Sequence, residues 1–250
     1  MSRVRRTVTS LVALATASAL GAVLTAPPAS ATSDLAGLWL LNEGSGQVAR
    51  DLSLSGNRGQ LGSSPLADAQ DPSWISLPSV FLKRAALRFS GSQRVRVADA
   101  PSLEPDGVTV LARVRGTAGG AFRYIASKGA LACETASYGL YTGASGGLQF
   151  YVSDGRSYTV SGDAGATVWD GQWHTVVGAF DGTSVRLWVD GAEVGAAVPA
   201  PLTIGYGLPD SEDFFLGDYA GPCGSPLGFV GDIDAAALIG HYDSGATLGQ

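Results

Sequence analysis

The feature that most constrains this chain is a series of short alternating segments that end at glycine. Apolar and polar residues alternate in LQFYVSDG, HTVVGAFDG and VRLWVDG, and such alternation is typical of half-buried β-strands of about five to eight residues. Helical periodicity is hard to find beyond the N-terminal apolar run. The pattern therefore predicts an all-β fold, an antiparallel β-sandwich of two sheets.

Asp-Gly pairs separate several segments, at Asp154-Gly155, Asp181-Gly182 and Asp190-Gly191. Glycine reaches the positive φ angles that tight turns need, so each pair predicts a hairpin between antiparallel strands. Since no long linker or internal repeat interrupts residues 32–250, we expect a single domain over this range.

Residues 1–31 have the features of a secretory signal peptide. Three arginines precede an apolar run, and the small residues Ala29 and Ala31 suit cleavage by signal peptidase. A permanent membrane helix fits poorly, because two prolines close the run. No later stretch reaches the ~18 apolar residues that span a bilayer. We therefore expect a secreted, extracellular protein that has no membrane contact after the signal peptide is removed.

The charge of the chain excludes some partners. The net charge is −6, and loss of the three leader arginines would leave 13 basic against 22 acidic residues, or −9. Such a chain repels phosphate backbones and anionic membranes, so we expect no nucleic-acid partner. Its carboxylates could instead serve a hard cation such as calcium.

Cys133 and Cys223 are the two cysteines, too few for a cysteine zinc site. An even count in an exported protein favours a disulfide, and two free buried thiols are the alternative.

The segment DGQWHTVVGAFDGTSVRLWVDG combines His174 with several acidic residues and poses the question of an active site. Alternation places Val185, Leu187 and Val189 on one face of the second strand, with Trp188 on the other. No nucleophile accompanies the histidine. We interpret the segment as two strands, with His174 hydrogen-bonded to a neighbour.

This segment resembles the signature hairpin of the laminin G-like jelly roll, within the concanavalin A-like lectin/glucanase superfamily. LAGLWLLNEGSGQVARDLSLSGNRGQL, AALRFSGSQRVRVADAPSLEPDGVTVLARVR and the closing FVGDID are similar to further family segments, in the family's order. The resemblance implies a concanavalin A-like jelly roll over residues 35–239. It also supports pairing of Cys133 with Cys223. Arg113, Ala235 and Ala237 depart from the usual family residues.

Catalytic motifs of this fold are missing from the sequence. Some glucanases that share it carry Glu-x-Asp-x-x-Glu on one strand, and neither that spacing nor a Gly-x-Ser-x-Gly motif occurs here. We therefore assign no catalytic residue and lean against an enzyme, although carboxylates on separate strands could still meet.

A structural calcium ion is the expected inorganic partner, because domains that resemble this one often hold such an ion. Oxygen donors gather near both ends of the predicted domain, and we select Asp51, with Glu43 and Asp234 as further ligands. The alternative is that these are turn-forming or solvated acids.

Sugar binding would use aromatic faces together with polar side chains. Candidates on the predicted strands are Trp188, Tyr151, Tyr141 and Arg186, and for each the alternative is burial in the core or ordinary exposure at the surface. Loop residues Tyr206, Tyr219 and Trp74 are further options.

The sequence as a whole predicts a secreted, non-catalytic recognition domain that binds extracellular glycan in the manner of a lectin. Two alternatives stay open at this point. One is a glycoside hydrolase or polysaccharide lyase with dispersed carboxylates, and the other is an adhesion module that binds a protein surface.

Overall fold

The computed structural model describes residues 34–79, 84–117, 120–219, 221–223 and 227–248. The predicted signal peptide, residues 1–31, lies outside the described residues. None of the helices in these ranges combines the length and the apolar character that crossing a bilayer requires.

The described residues form seventeen β-strands and one short α-helix. In chain order these elements are β1 (Leu35–Trp39), β2 (Val48–Ala49), β3 (Gly59–Leu61), β4 (Ser73–Leu77), β5 (Arg84–Ser90), β6 (Val95–Val97), β7 (Val108–Arg115), β8 (Tyr124–Ala130), β9 (Tyr138–Thr142), β10 (Leu148–Ser153), β11 (Tyr158–Val160), β12 (His174–Phe180), β13 (Ser184–Val189), β14 (Ala192–Glu193), β15 (Val198–Pro199), β16 (Ser211–Leu216), β17 (Val230–Ile239) and α1 (Gly245–Leu248).

The strands form two sheets, which we name by their size. The nine-stranded sheet runs β14-β13-β12-β7-β17-β5-β4, with β1 paired to β17 and β15 paired to β13. The eight-stranded sheet runs β11-β10-β9-β8-β16-β6-β3-β2. All these strand pairs are antiparallel. The prediction of a two-sheet antiparallel β-sandwich is confirmed.

The hairpin of β12 and β13 shows why alternation predicts the fold. Val176 of β12 and Leu187 of β13 lie in the core between the sheets, whereas Val177 and Trp188 belong to a separate cluster on the outer face. The turn between β13 and β14 has φ angles of 50° at Asp190 and 78° at Gly191, the two positive values of a type I′ turn.

Large aromatic side chains fill the space between the sheets. Trp39 stacks on Phe214 at 5.5 Å between ring centroids, and its indole nitrogen donates to the Asn57 carbonyl at 2.8 Å. Gly178 is required opposite Phe150, because a Cβ at that position would lie 2.2 Å from the Phe150 ring. The pairing of β1 with β17 and the packing of this core together fix the positions of the outer faces.

A β-bulge in β17 determines what the nine-stranded sheet presents outward. The register with β7 shifts between Ile233 and Ala235, which changes the alternation of inward and outward side chains. Ala236 therefore points into the core, while Ala237 packs in the outer cluster. Polar Asp232, before the bulge, forms ion pairs with arginines of β5 and β7.

Candidate functional site

His174 lies at the start of β12, between two carboxylates. Its Nδ1 is 2.7 Å from Asp190 Oδ2 and its Nε2 is 3.1 Å from Asp170 Oδ1. Burial alone would lower the pKa of His174, but the hydrogen bonds to Asp190 and Asp170 outweigh burial and raise that pKa. Because both ring nitrogens are engaged by carboxylates, this histidine ties two turns together and is not placed to activate a nucleophile.

Two predicted sugar contacts lie on the outer face of the nine-stranded sheet. Trp188 is 2% exposed, and Gly245 of α1 packs so closely on its indole that a Cβ there would lie 2.5 Å from ring atoms. Arg186 is paired with Glu193 at 2.6 Å, and that hydrogen bond raises the Arg186 pKa. The packing of α1 on Trp188 agrees with the alternative that this side chain is buried. Sugar contact by Trp188 or Arg186 stays a prediction.

The other two predicted sugar contacts, Tyr141 and Tyr151, lie together on the outer face of the eight-stranded sheet. Their rings are 5.0 Å apart in a T-shaped arrangement. Tyr124 and Tyr219 pack beside them in the same cluster, with ring centroids 4.9 Å apart. Tyr158 adds an edge contact to Tyr151 at 5.9 Å. Five tyrosines of this chain thus form one group, which we call the tyrosine cluster.

A shallow cleft of about 60 Å³ opens over the tyrosine cluster. Its rim carries two exposed aromatic rings, since Tyr158 is 59% exposed and Phe122 is 47% exposed. The lining residues are Phe122, Tyr124, Glu134, Thr135, Tyr141, Tyr151 and Tyr158. We call this feature the tyrosine cleft.

The backbone of Phe122 is strained. Its φ angle is 54°, in the left-handed region that bulky residues avoid at a cost of about 1–2 kcal/mol. Strained residues cluster at binding sites, where the surrounding structure holds them in place. The strain therefore marks the rim of the tyrosine cleft as a candidate site.

The floor of the cleft is held by hydrogen bonds that involve the hydroxyl groups of two tyrosines. The Ala136 N–H donates to the Tyr151 hydroxyl at 2.9 Å, and the Tyr219 hydroxyl donates to the Thr135 carbonyl at 2.7 Å. Burial raises the pKa of Tyr141 to about 12, so its phenol stays neutral at physiological pH. A neutral phenol can donate to and accept from sugar hydroxyls.

Sequence reasoning missed Phe122, Tyr158 and Glu134 at this cleft. The sequence contains a feature that could have indicated the cleft, because five of the eight tyrosines fall between positions 124 and 158. Tyr138, one of these five, is fully buried in the core between the sheets.

The predicted disulfide is confirmed. Cys133 and Cys223 are bonded, with their Cα atoms 5.0 Å apart. The bond joins a turn beside Glu134 to the chain that follows Tyr219, and Cys223 packs against the tyrosine cluster. It therefore ties together two segments at the edge of the tyrosine cleft.

Two of the three predicted calcium ligands, Asp51 and Asp234, interact with other groups of the chain. Asp51 accepts hydrogen bonds on both carboxylate oxygens, from the N–H groups of Leu38, Ser53 and Asn57 and from the Ser53 hydroxyl. Such a filled carboxylate suits the turn-forming alternative for Asp51. Asp234 is paired with Arg84 and Arg113 through Oδ2, while its Oδ1 is buried and lacks a hydrogen-bond partner among the described residues.

Within the described ranges, a second group of buried oxygens also lacks hydrogen-bond partners, and it includes one predicted ligand, Glu43. One carboxylate oxygen of Glu43 is buried and lacks a hydrogen-bond partner among the described residues, and so do Gln47 Oε1 and Asp71 Oδ1. Gln47 donates to the second oxygen of Asp71 at 2.8 Å, which places these two residues in contact. In the described part of the chain, no three acidic, histidine or cysteine side chains form a metal-binding group. Carbonyls and water often complete a calcium shell, so the ion stays a prediction.

A larger polar cleft of about 440 Å³ lies at the far end of the eight-stranded sheet. Its polar lining includes Arg58, Gln60, Arg96 and Asp99, and no aromatic residue contributes to it among the described residues. It lacks the ring faces that sugar stacking uses, so the tyrosine cleft is the better candidate.

Comparison with known proteins agrees with this architecture. A family model described as the concanavalin A-like lectin/glucanases superfamily matches residues 89–241. No curated protein matches the sequence significantly.

Several solved structures resemble the chain. One is domain 4 of an extracellular GH43 arabinanase from Geobacillus stearothermophilus in complex with arabinotriose, at 14% identity and a TM-score of 0.61, covering 86% of this chain and 97% of that one. Another is the CBM40 of the Ruminococcus gnavus IT-sialidase bound to α2,3-sialyllactose, at 16% identity and a TM-score of 0.53, covering 65% and 94%. A Trypanosoma rangeli sialidase matches at 15% identity and a TM-score of 0.55, covering 87% of this chain and 32% of that one. These identities show a shared fold.

Proposed function

Because the chain belongs to the concanavalin A-like lectin/glucanase superfamily, we propose that it is a non-catalytic carbohydrate-binding domain whose ligand rests on the tyrosine cleft. The observation that carries the proposal is the pair of exposed rings, Tyr158 and Phe122, on the rim of a cleft floored by further tyrosines. The sugar complexes of the arabinanase and CBM40 domains support a carbohydrate as the ligand class.

The cleft offers both kinds of contact that a sugar needs. The apolar face of a sugar ring can pack on the Tyr158 and Phe122 rings, which removes apolar area from water. The Tyr141 phenol and the Glu134 carboxylate can hydrogen-bond sugar hydroxyls at the edge of the ring. Since the floor is already hydrogen-bonded, little side-chain freedom is lost on binding.

The lining of the cleft supports binding without hydrolysis. Glycosidases use two carboxyl groups, about 5–5.5 Å apart in retaining enzymes and about 6.5–9.5 Å apart in inverting enzymes. Glu134 is the one carboxylate among the described residues that line the tyrosine cleft. A single carboxylate can orient a sugar hydroxyl but cannot supply both catalytic roles.

Replacing Tyr158 with alanine should weaken glycan binding about tenfold, which corresponds to about 1.4 kcal/mol. The loss reflects one exposed aromatic contact, and we take its size from aromatic ring pairs, which contribute about 0.5–1.5 kcal/mol beyond area burial. Titration calorimetry would measure the loss of affinity, with arabinotriose and α2,3-sialyllactose as ligands because two solved structures of the same fold bind them. A glycan array would extend the range of ligands.

Two variants separate binding from folding. Leu66→Ala removes a side chain that is 77% exposed and lies outside the cleft, so it should leave affinity unchanged. Phe122→Gly removes the rim ring but relieves the positive φ angle, so it should weaken binding without lowering stability. Equal affinities for wild type, Tyr158→Ala and Phe122→Gly would contradict the site, and reducing-sugar release by wild type would contradict the absence of catalysis.

We also propose that the protein acts outside the cell. The disulfide between Cys133 and Cys223 supports this location, because such bonds persist in oxidising compartments. The signal-peptide features of residues 1–31 point the same way.

We further propose a structural calcium ion at Gln47 and Asp71, which are in contact and whose buried unpaired oxygens support it, with the buried unpaired oxygen of Glu43 as a further candidate ligand. A bound ion would satisfy these oxygens and link two loops of the domain. Millimolar calcium should raise the melting temperature relative to chelator, by linkage worth about 2.7 kcal/mol when calcium is at 100 times its Kd.

Differential scanning fluorimetry of Asp71→Asn tests the calcium assignment, because this change removes the charge at nearly constant volume. The calcium-dependent shift should be lost in Asp71→Asn and retained in Asp163→Asn, an exposed acid elsewhere. A wild-type melting temperature that is the same in calcium and in chelator would contradict the proposal.

A further inference from the structure

Four arginines line the outer face of the nine-stranded sheet, on the side opposite the tyrosine cleft. Asp232 is held by Arg88 at 2.8 Å and by Arg115 at 2.6 Å. Asp234 is paired with Arg84 at 3.1 Å and also with Arg113. These six residues, Arg84, Arg88, Arg113, Arg115, Asp232 and Asp234, are called the arginine face.

Burial separates the two signs of charge. The aspartate side chains are 3–5% exposed, while the arginine side chains are 30–56% exposed. Four cations against two buried anions leave an excess of two positive charges at the surface. In a chain whose net charge is −6, this local excess is opposite in sign to the rest of the protein. An anion is therefore the complementary ligand.

Structural pairing does not account for all four arginines. One guanidinium suffices to neutralise each carboxylate, and a second cation beside it adds repulsion between like charges. Trp173 holds two of these arginines in place, because its ring lies 4.9 Å from the Arg113 guanidinium and 4.7 Å from that of Arg115. Stacking on an aromatic ring fixes the plane of a guanidinium and keeps its free donors directed outward.

A cleft of about 410 Å³ opens beside Arg88 and Arg115. Both arginines use Nε and Nη2 on Asp232, and among the described residues their Nη1 donors have no hydrogen-bond partner. The remaining lining includes the exposed Val230 and Thr117. This volume lies in the range of small-molecule sites, and its mixture of charged, hydroxyl and apolar groups suits a sugar that bears an anion.

We propose that the arginine face is a second binding site, which takes the carboxylate or sulfate group of an acidic polysaccharide through Arg88 and Arg115. The guanidinium fork matches the geometry of either oxyanion. The site is separate from the tyrosine cleft and does not depend on it. An acidic protein surface is a different class of ligand, which a cleft of this volume does not favour. The experiment below distinguishes an acidic polysaccharide from an acidic protein.

Affinity electrophoresis in gels that contain polygalacturonate, dextran sulfate or neutral dextran tests the proposal. Wild type should be retarded by at least one of the acidic polymers and not by neutral dextran. Arg88→Gln should weaken that retention at least fivefold, and Arg88→Lys should restore only part of it, because lysine keeps the charge and loses the fork. Arg115 still pairs with Asp232 in these variants, which preserves the fold.

The matched control is Arg50→Gln, which removes an exposed arginine elsewhere and should leave retention unchanged. Retention by polygalacturonate or by dextran sulfate alone identifies the anion as carboxylate or sulfate. No retention by either polymer, an equal loss in Arg50→Gln, or equally strong retention by polyglutamate would overturn the proposal. Tyr158→Ala should not affect retention by the acidic polymers, so failure of the tyrosine cleft and failure of the arginine face are distinguishable.

Discussion

Replacing Lys128 with methionine is expected to lower the free energy of unfolding by about 3–5 kcal/mol, the range for breaking a buried ion pair by removing one partner. Lys128 is 1% exposed, and its ammonium donates to Asp99 at 2.6 Å and to Glu104 at 3.1 Å. It also donates to the Glu212 carbonyl. Methionine fills a similar volume but leaves two carboxylates and a carbonyl without this cation. Since both carboxylates are partly exposed and can recover water, we expect the lower end of the range.

Equilibrium unfolding in urea measures the effect, and Arg186→Met is the matched control. Arg186 and Glu193 form an ion pair whose side chains are 29% and 35% exposed, a class that contributes about 0–1 kcal/mol. Lys128→Met should therefore be several times more destabilising than Arg186→Met. Equal losses in the two variants would contradict the argument that burial decides the difference.

The fold was predictable because its signals are local. Alternation along β12 and β13 assigns Val176 and Leu187 to the core with a period of two, and Asp-Gly turns connect adjacent strands. The bulge in β17 was not predictable. Its register shift depends on pairing with β7, which lies more than 100 residues earlier in the chain.

The site was predictable only in part, because its contacts join distant positions. Tyr141 and Tyr151 were selected from their strands, and the structure brings them together in the tyrosine cluster. The rim residue Phe122 follows from loop geometry, for which no local pattern exists. Alternation places Trp188 on the face opposite Val185 and Leu187, but it could not show that α1 covers that face.

Charge clusters show the same limit. Lys128 meets Asp99, Glu104 and the carbonyl of Glu212 across 29, 24 and 84 residues of sequence. The arginine face likewise pairs strands that are more than 110 residues apart. Side chains on one face of a sheet meet through strand order, and strand order is set by the whole fold rather than by any short segment.

Replacing both cysteines with serine is expected to lower the free energy of unfolding by about 4–5 kcal/mol in the chain-entropy model. Cys133 and Cys223 are separated by 90 residues, so their bond closes a long loop and removes many conformations from the unfolded chain. Urea unfolding of the double variant, and of wild type with and without reductant, measures the loss. Reductant should destabilise wild type and leave the double variant unchanged.

The same variant should retain most of its glycan affinity, because the turn beside the tyrosine cleft has other anchors. The Tyr219 hydroxyl donates to the Thr135 carbonyl at 2.7 Å, and Asp210 accepts from the Ala132 N–H. These bonds act in the folded state, whereas the disulfide acts mainly on the unfolded chain. Titration of the folded double variant should therefore give an affinity within about threefold of wild type, below about 0.7 kcal/mol. A tenfold weaker affinity of the fully folded double variant would mean that the disulfide positions the cleft directly. A loss of less than about 1 kcal/mol in the free energy of unfolding would contradict the entropic argument.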